Sequence, residues 1–168
     1  FRRWMLPAYP NAVEHLSRRL ADLHKRDPID LLISTSSAAI KGLRPPRNVP
    51  HLCYCHSPAR YIWSQEEAYS RGNFLRGLSL RAYRSHFKAW DRATAANVTQ
   101  FLANSRHTAR EIERCFGRDS RVVHPPVRTD FFTPDARITR EDFWLYTGAL
   151  ESYKNVELAI SAAELAKK

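Results

Sequence analysis

Five glycines and ten prolines in 168 residues exclude a fibrous or linker-like chain. The sequence has no G-x-x-x-x-G-K-[ST] phosphate loop and no GxGxxG fingerprint. It also has no GxSxG elbow of a serine hydrolase. Three cysteines, an odd number, build no disulfide framework and point to a reducing compartment. No apolar run approaches the roughly 20 residues that a membrane span needs. Internal repeats, low-complexity tracts and a secretory leader pattern are missing too. The chain opens at Phe1, has its only methionine at Met5, and stops at Lys167-Lys168 inside a helical pattern with no closing glycine or proline. The expectation is an internal segment of a longer protein.

What is present is ordinary for a folded domain: 43% hydrophobic and 26% charged residues. Twenty-seven Lys+Arg against 17 Asp+Glu give +10, a balance that suits a polyanionic or membrane-surface partner.

The apolar pattern alternates between two periods. Asn11 with Glu14 offers a capping box, and Val13, Leu16, Leu20 and Leu23 follow as a helical stripe that Asp27-Pro28 stops. Leu31-Leu32-Ile33 reads as a strand buried on both faces, ending in a polar loop at Ser34–Ser37. His51–Cys55 reads as the next strand, closed by His56-Ser57-Pro58. Leu80, Tyr83, Phe87, Trp90 and Thr94 mark a long helix, with Arg76, Arg81, Arg84, Lys88 and Arg92 on its other sides. Phe101–Ala103 is a third strand. Ser105 can cap the following helix, Thr108 with Glu111 competes as a capping box, and Gly117 is placed to end it. Arg121–His124 is a short strand stopped by Pro125-Pro126. Turn signals then fill a linker over 128–142. Phe143–Tyr146 reads as a fresh strand, and Val156, Ile160 and Ala163 as a helical stripe. Strands alternating with helices mean an α/β fold with a Rossmann-like parallel sheet.

In such sheets ligands bind outside the carboxyl ends of strands. That picks out Ser34–Ser37, His56–Arg60, Asn104–Ser105 and Gly148–Lys154. A neutral His56 imidazole there can bond a sugar hydroxyl or a developing charge, against the plainer reading of a loop histidine on backbone. Cys53, Cys55 and His56 invite a metal. On a strand, however, the two thiols share one face and His56 points the other way, so structural cysteines are expected and no metal site. Lys154 lies between a strand and a helix, where an ammonium suits a diphosphate, against a solvated lysine. The basic, aromatic stretch Arg71–Arg92 can face nucleic acid or anionic lipid; the plainer reading is a packed helix with a solvated basic face.

Four blocks stand in register: Asp30–Ser37, His51–Trp63, Phe101–Ser105 running on to Val122–Val127, and Tyr146–Leu150 followed by Tyr153-Lys154-Asn155. In this order they resemble glycosyltransferase family 4, a family of retaining nucleotide-sugar transferases with the GT-B fold. The second block looks most like its bacterial polysaccharide-building mannosyltransferases. The resemblance implies the later part of an N-terminal, acceptor-side Rossmann-like domain over 1–127, the linker over 128–142, and the first strand and helix of a truncated C-terminal, donor-binding domain over 143–168. It implies catalytic contact by His56, donor-diphosphate contact by Lys154 and Gly148, and acceptor-side roles for Arg60 and Tyr61.

The resemblance further implies a hexosyl, in particular mannosyl, transfer from a nucleotide sugar such as GDP-mannose to a polysaccharide or lipid-linked acceptor, with no metal or other cofactor. The segment alone is expected to be inactive. A cytoplasmic enzyme, touching the inner membrane face through the basic helix 71–92 and binding no nucleic acid, is the corresponding expectation. The family often has an arginine where this chain has Ala149. Its later glutamate pair is not matched by Glu157 and Glu164, which stand seven positions apart and too early. The alternatives are a basic nucleic-acid-binding module and a non-transferase GT-B enzyme such as a sugar-nucleotide epimerase.

Overall fold

The computed structural model describes residues 8–36, 38–63, 85–139, 141–150 and 154–166. The chain divides into two compact units, Phe1–Pro126 and Val127–Lys168.

In the first unit the described elements are α1 (Tyr9–Arg26), β1 (Leu32–Ser36), β2 (His51–Cys55), the single turn α2 (Arg60–Trp63), α3 (85–94), β3 (Gln100–Ala103), α4 (Arg106–Phe116) and β4 (Ser120–Val122). Short 3-10 turns occupy Ala39–Gly42 and Ala95–Asn97. The four strands form one parallel sheet in the order β1-β2-β3-β4. Register is set by pairs such as Ser34 with Cys53 and Cys55 with Ala103. The α/β, Rossmann-like class expected from the alternating pattern is the one observed.

The helix ends follow local chemistry. Ser105 caps α4, its hydroxyl accepting from the Thr108 N–H at 3.1 Å. Gly117 closes it in the left-handed region at φ 63°, where a side chain is disfavoured. Asn11 does not cap α1. The helix starts two residues earlier, because Pro10 in its first turn has a φ preset for the helix and no N–H to satisfy. The α1 stripe also turns: Leu16 and Leu23 are exposed, while Val13 and Ser17 are buried. Ser17 is satisfied inside by donating to the Val13 carbonyl at 2.7 Å and accepting from the Arg44 N–H at 3.0 Å.

β1 departs from the expected strand buried on both faces. It runs on through Ser36, and its faces alternate, with Ile33 64% exposed and Ser34 and Ser36 inside. Two inward serines are tolerated because both are bonded, Ser34 to His51 and Ser36 to the Ala38 backbone. Of the polar loop, Ser34 and Ser36 therefore belong to the sheet, and Ser37 lies outside the described residues.

The core is built on the inward face of β2 and β3. Cys53, Cys55, Phe101 and Ala103 pack against Ile112, Cys115 and Phe116 of α4. Fully burying a Phe or Ile side chain contributes about 1.5–3 kcal/mol each. A second cluster joins Val13 of α1, Ala39, Ala59, Ile62 and Phe87 of α3, and Trp63 packs against both.

The second unit has one described helix, α5 (Val156–Ala166), with no buried residue. Residues 143–146, expected as a strand, are not paired into any sheet. A strand needs a neighbour for its backbone groups. Phe143, Trp144 and Leu145 are correspondingly exposed. Tyr146 folds back so that its hydroxyl donates to the Ala149 carbonyl at 3.3 Å.

Candidate functional site

His56 is the first residue past β2, and its backbone is held from three elements. Its N–H donates to the Ser36 carbonyl of β1 at 2.8 Å. Its own carbonyl accepts from the Asn104 side-chain amide and from the Thr108 hydroxyl, each at 3.2 Å. Asn104 is oriented in turn by Ser105, whose hydroxyl contacts Asn104 Oδ1 at 3.2 Å. The imidazole itself is exposed and stands edge-on to Tyr54, ring centres 5.2 Å apart and planes at 83°. Tyr54 is fixed at its far end by donating to the Val123 carbonyl at 3.0 Å. The loop is thus a rigid mount for an accessible imidazole.

Beside this loop lies a cleft of about 310 Å³ between Ser57–Trp63 and the face of α4 that carries His107, Thr108, Glu111 and Arg114. Arg60 and Arg114 line it with His107 and Glu111. Glu111 receives two bonds from Arg114, at 3.0 and 2.6 Å, and the guanidinium holds its carboxyl below the usual carboxylate range. Arg60 sits on α2 and is exposed. Tyr61 follows it on α2, with its side chain outside the described residues.

Gly148 and Lys154 belong to the second unit. A Cβ at Gly148 would lie 2.9 Å from the Tyr146 hydroxyl, the end of an exposed side chain that can swing aside. Lys154 is exposed just before α5, and residues 151–153 lie outside the described residues. The structure places His56 on the loop after β2 and Arg60 four residues on, on α2, both in the first unit, and Gly148 and Lys154 in the second.

The two thiols beside His56 are core groups. Burial pushes Cys55 up to about 12 and raises Cys53, and Cys115 is pushed up to about 11. Residues 71–84 of the basic stretch lie outside the described residues. In the remainder, Phe87 is fully buried with Trp90 packed 5.1 Å from it, and Arg92 donates to the Cys115 carbonyl at 2.9 Å. These aromatics are committed to packing.

An anchored, accessible histidine on a strand-end loop beside a polar cleft can hold a hydroxylated substrate. A family model, Glycosyltransferase Family 4, matches residues 1–131. The chain belongs to that family. No curated protein and no solved structure matches it significantly. Family membership makes this a glycosyltransferase domain, with a nucleotide-sugar donor and a glycan acceptor in general terms. Among the described residues of this family 4 chain, no helix is long and apolar enough to cross a membrane.

The roles of Thr108 and Tyr54 at the site were not legible in the sequence. Thr108 looks like a cap, but its hydroxyl serves the His56 carbonyl from inside α4. Its position three residues after Ser105, on the face toward the sheet, is the only signal.

Proposed function

We propose that this chain carries the later part of the acceptor-side domain, and the opening of the donor-binding domain, of a retaining GT-B glycosyltransferase. It moves a hexose, in particular mannose, from a nucleotide-diphosphate sugar to a polysaccharide or lipid-linked acceptor. The acceptor hydroxyl attacks the anomeric carbon on the face from which the diphosphate leaves. His56 contacts the reacting sugar. Lys154, with the turn at Gly148, stabilises the charge on the departing diphosphate, the task a cation and backbone amides perform when no divalent ion is used. Arg60 and Tyr61 line the acceptor side. The enzyme works in the cytoplasm, and the basic stretch 71–92 holds it at an anionic membrane face.

The observation that carries this reading is the triple anchoring of His56 on a strand-end loop, in a chain of a glycosyltransferase family. The test is a panel of GDP-, UDP- and ADP-sugars with the intact protein, scored for nucleotide release and for the anomeric configuration of the product. Release from one donor with configuration kept, and release lost in Lys154→Ala, is the expected result. Inversion contradicts the retaining mechanism, and release unchanged in Lys154→Ala contradicts the role of that lysine.

A further inference from the structure

Two buried charged side chains, Lys41 and Asp91, serve no role in the site described so far. Lys41 Nζ meets Asp91 Oδ1 at 2.9 Å, with the two side chains 2% and 0% exposed. Asp91 Oδ2 accepts from the Trp63 indole N–H at 2.8 Å. The ammonium is turned mainly to the Asp91 carbonyl at 2.5 Å and lies 4.4 Å from the Phe116 ring centre. Asp91 Oδ1 consequently has the ion pair but no well-aligned hydrogen bond.

A buried ion pair loses its hydration, and matched apolar residues commonly give equal or better stability. An imperfectly satisfied carboxylate in the core is a poor device for stability alone. What the cluster does provide is direction. Its members come from three places: the 3-10 turn after β1, α2 after β2, and α3. Trp63 is the last residue of α2, and its ring also stands edge-on to Phe116 at 6.1 Å. A one-turn helix has too few internal bonds to set its own position. Here the Ile62 and Trp63 amides both donate to the Ala59 carbonyl, and the indole bond is the directional tie from that turn to the core. The same turn carries Arg60 and forms one wall of the cleft beside His56.

We propose that Asp91, held by Lys41, is a positioning residue: through the Trp63 indole it fixes α2, and with it the acceptor-side wall of the cleft. The kinetic part of this inference rests on the transferase reading.

The test compares the intact protein with the double variant Lys41→Met/Asp91→Leu and with Trp63→Phe. Each is read by thermal melting, by amide exchange at Ile62 and Trp63, and by KM for acceptor and donor separately. In the folded variants, amide exchange at these two positions rises about tenfold or more and acceptor KM rises by a similar factor, while donor KM stays unchanged. A folded double variant with wild-type exchange and wild-type acceptor KM overturns the proposal, because the cluster then only fills space. An equal rise in both KM values also overturns it. If the double variant does not fold, Trp63→Phe decides by the same readouts. If the wild type transfers no sugar, the transferase reading fails by itself and the amide exchange decides this one.

Discussion

His51 shows how one residue type can be structural at one position and chemical at another. It is fully buried, with Nε2 2.7 Å from the Ser34 hydroxyl and Nδ1 3.2 Å from the Asn97 carbonyl. A carbonyl only accepts, so Nδ1 carries the proton and Nε2 accepts from Ser34. Burial lowers its pKa, the Lys41 charge adds to this, and the Asn97 bond opposes it. In the unfolded chain an imidazole titrates near 6.5. Below that pH the unfolded chain takes up a proton that the folded one refuses, so stability falls as pH drops through about 6.5. Urea midpoints measured across acid and neutral pH will show this slope, and His51→Gln will flatten it. The thiols give the opposite window. Cys55 ionises near 12 in the folded state, so an alkylating reagent at mildly alkaline pH will label none of Cys53, Cys55 and Cys115 until denaturant is added. His56, five residues after His51, differs in being exposed. Both histidines flank the same apolar run, and only the alternation of the strand separates them.

The elements were legible where a local device set them. Ser105 and Gly117 bracket α4 as expected, and each gives a measurable cost. Ser105→Ala removes the cap to the Thr108 N–H and will cost about 1 kcal/mol in denaturant titration. Gly117→Ala places a side chain at φ 63° with nothing within 4 Å of the new Cβ. Its cost is therefore backbone strain alone, about 1–2 kcal/mol. Elements set by tertiary partners were less legible. The α1 stripe is buried only in part: Val13 is in the core, but Leu16 and Leu23 are exposed, and Ser17, bonded to Val13 and Arg44, goes inside. β1 looked buried on both faces because Leu31-Leu32-Ile33 is continuous, yet it is the first strand in the sheet order and Ile33 faces out. Residues 143–146 carry the aromatic and aliphatic pattern of a strand, but a strand needs a pairing partner, and among the described residues they have none. The polar cluster of Lys41, Trp63 and Asp91 spans 50 positions and has no short-range signal; Asp91 stands out only as the lone acid between Arg71 and Arg92.

At the scale of the whole molecule, the α/β class followed from strands alternating with helices, and the family from four short blocks, three of which hold strand ends of the sheet. In the structure three of these blocks meet at one place: the ends of β1 and β2 and the Asn104–Thr108 turn converge on the His56 backbone. The candidate site was legible to that extent. The residues that hold His56 there were not, because hydrogen bonds from Thr108 and Asn104 bridge about 50 positions of chain. The central claim is that this anchored imidazole acts on the reacting sugar. The most direct test is the sugar-transfer rate of the intact protein with His56→Ala, at saturating donor and acceptor, beside its melting temperature. The imidazole is exposed and its backbone bonds survive the substitution, so the melting temperature should hold while kcat falls about 100-fold or more. A variant that melts as the wild type and transfers at the wild-type rate would make His56 a loop histidine and contradict the account.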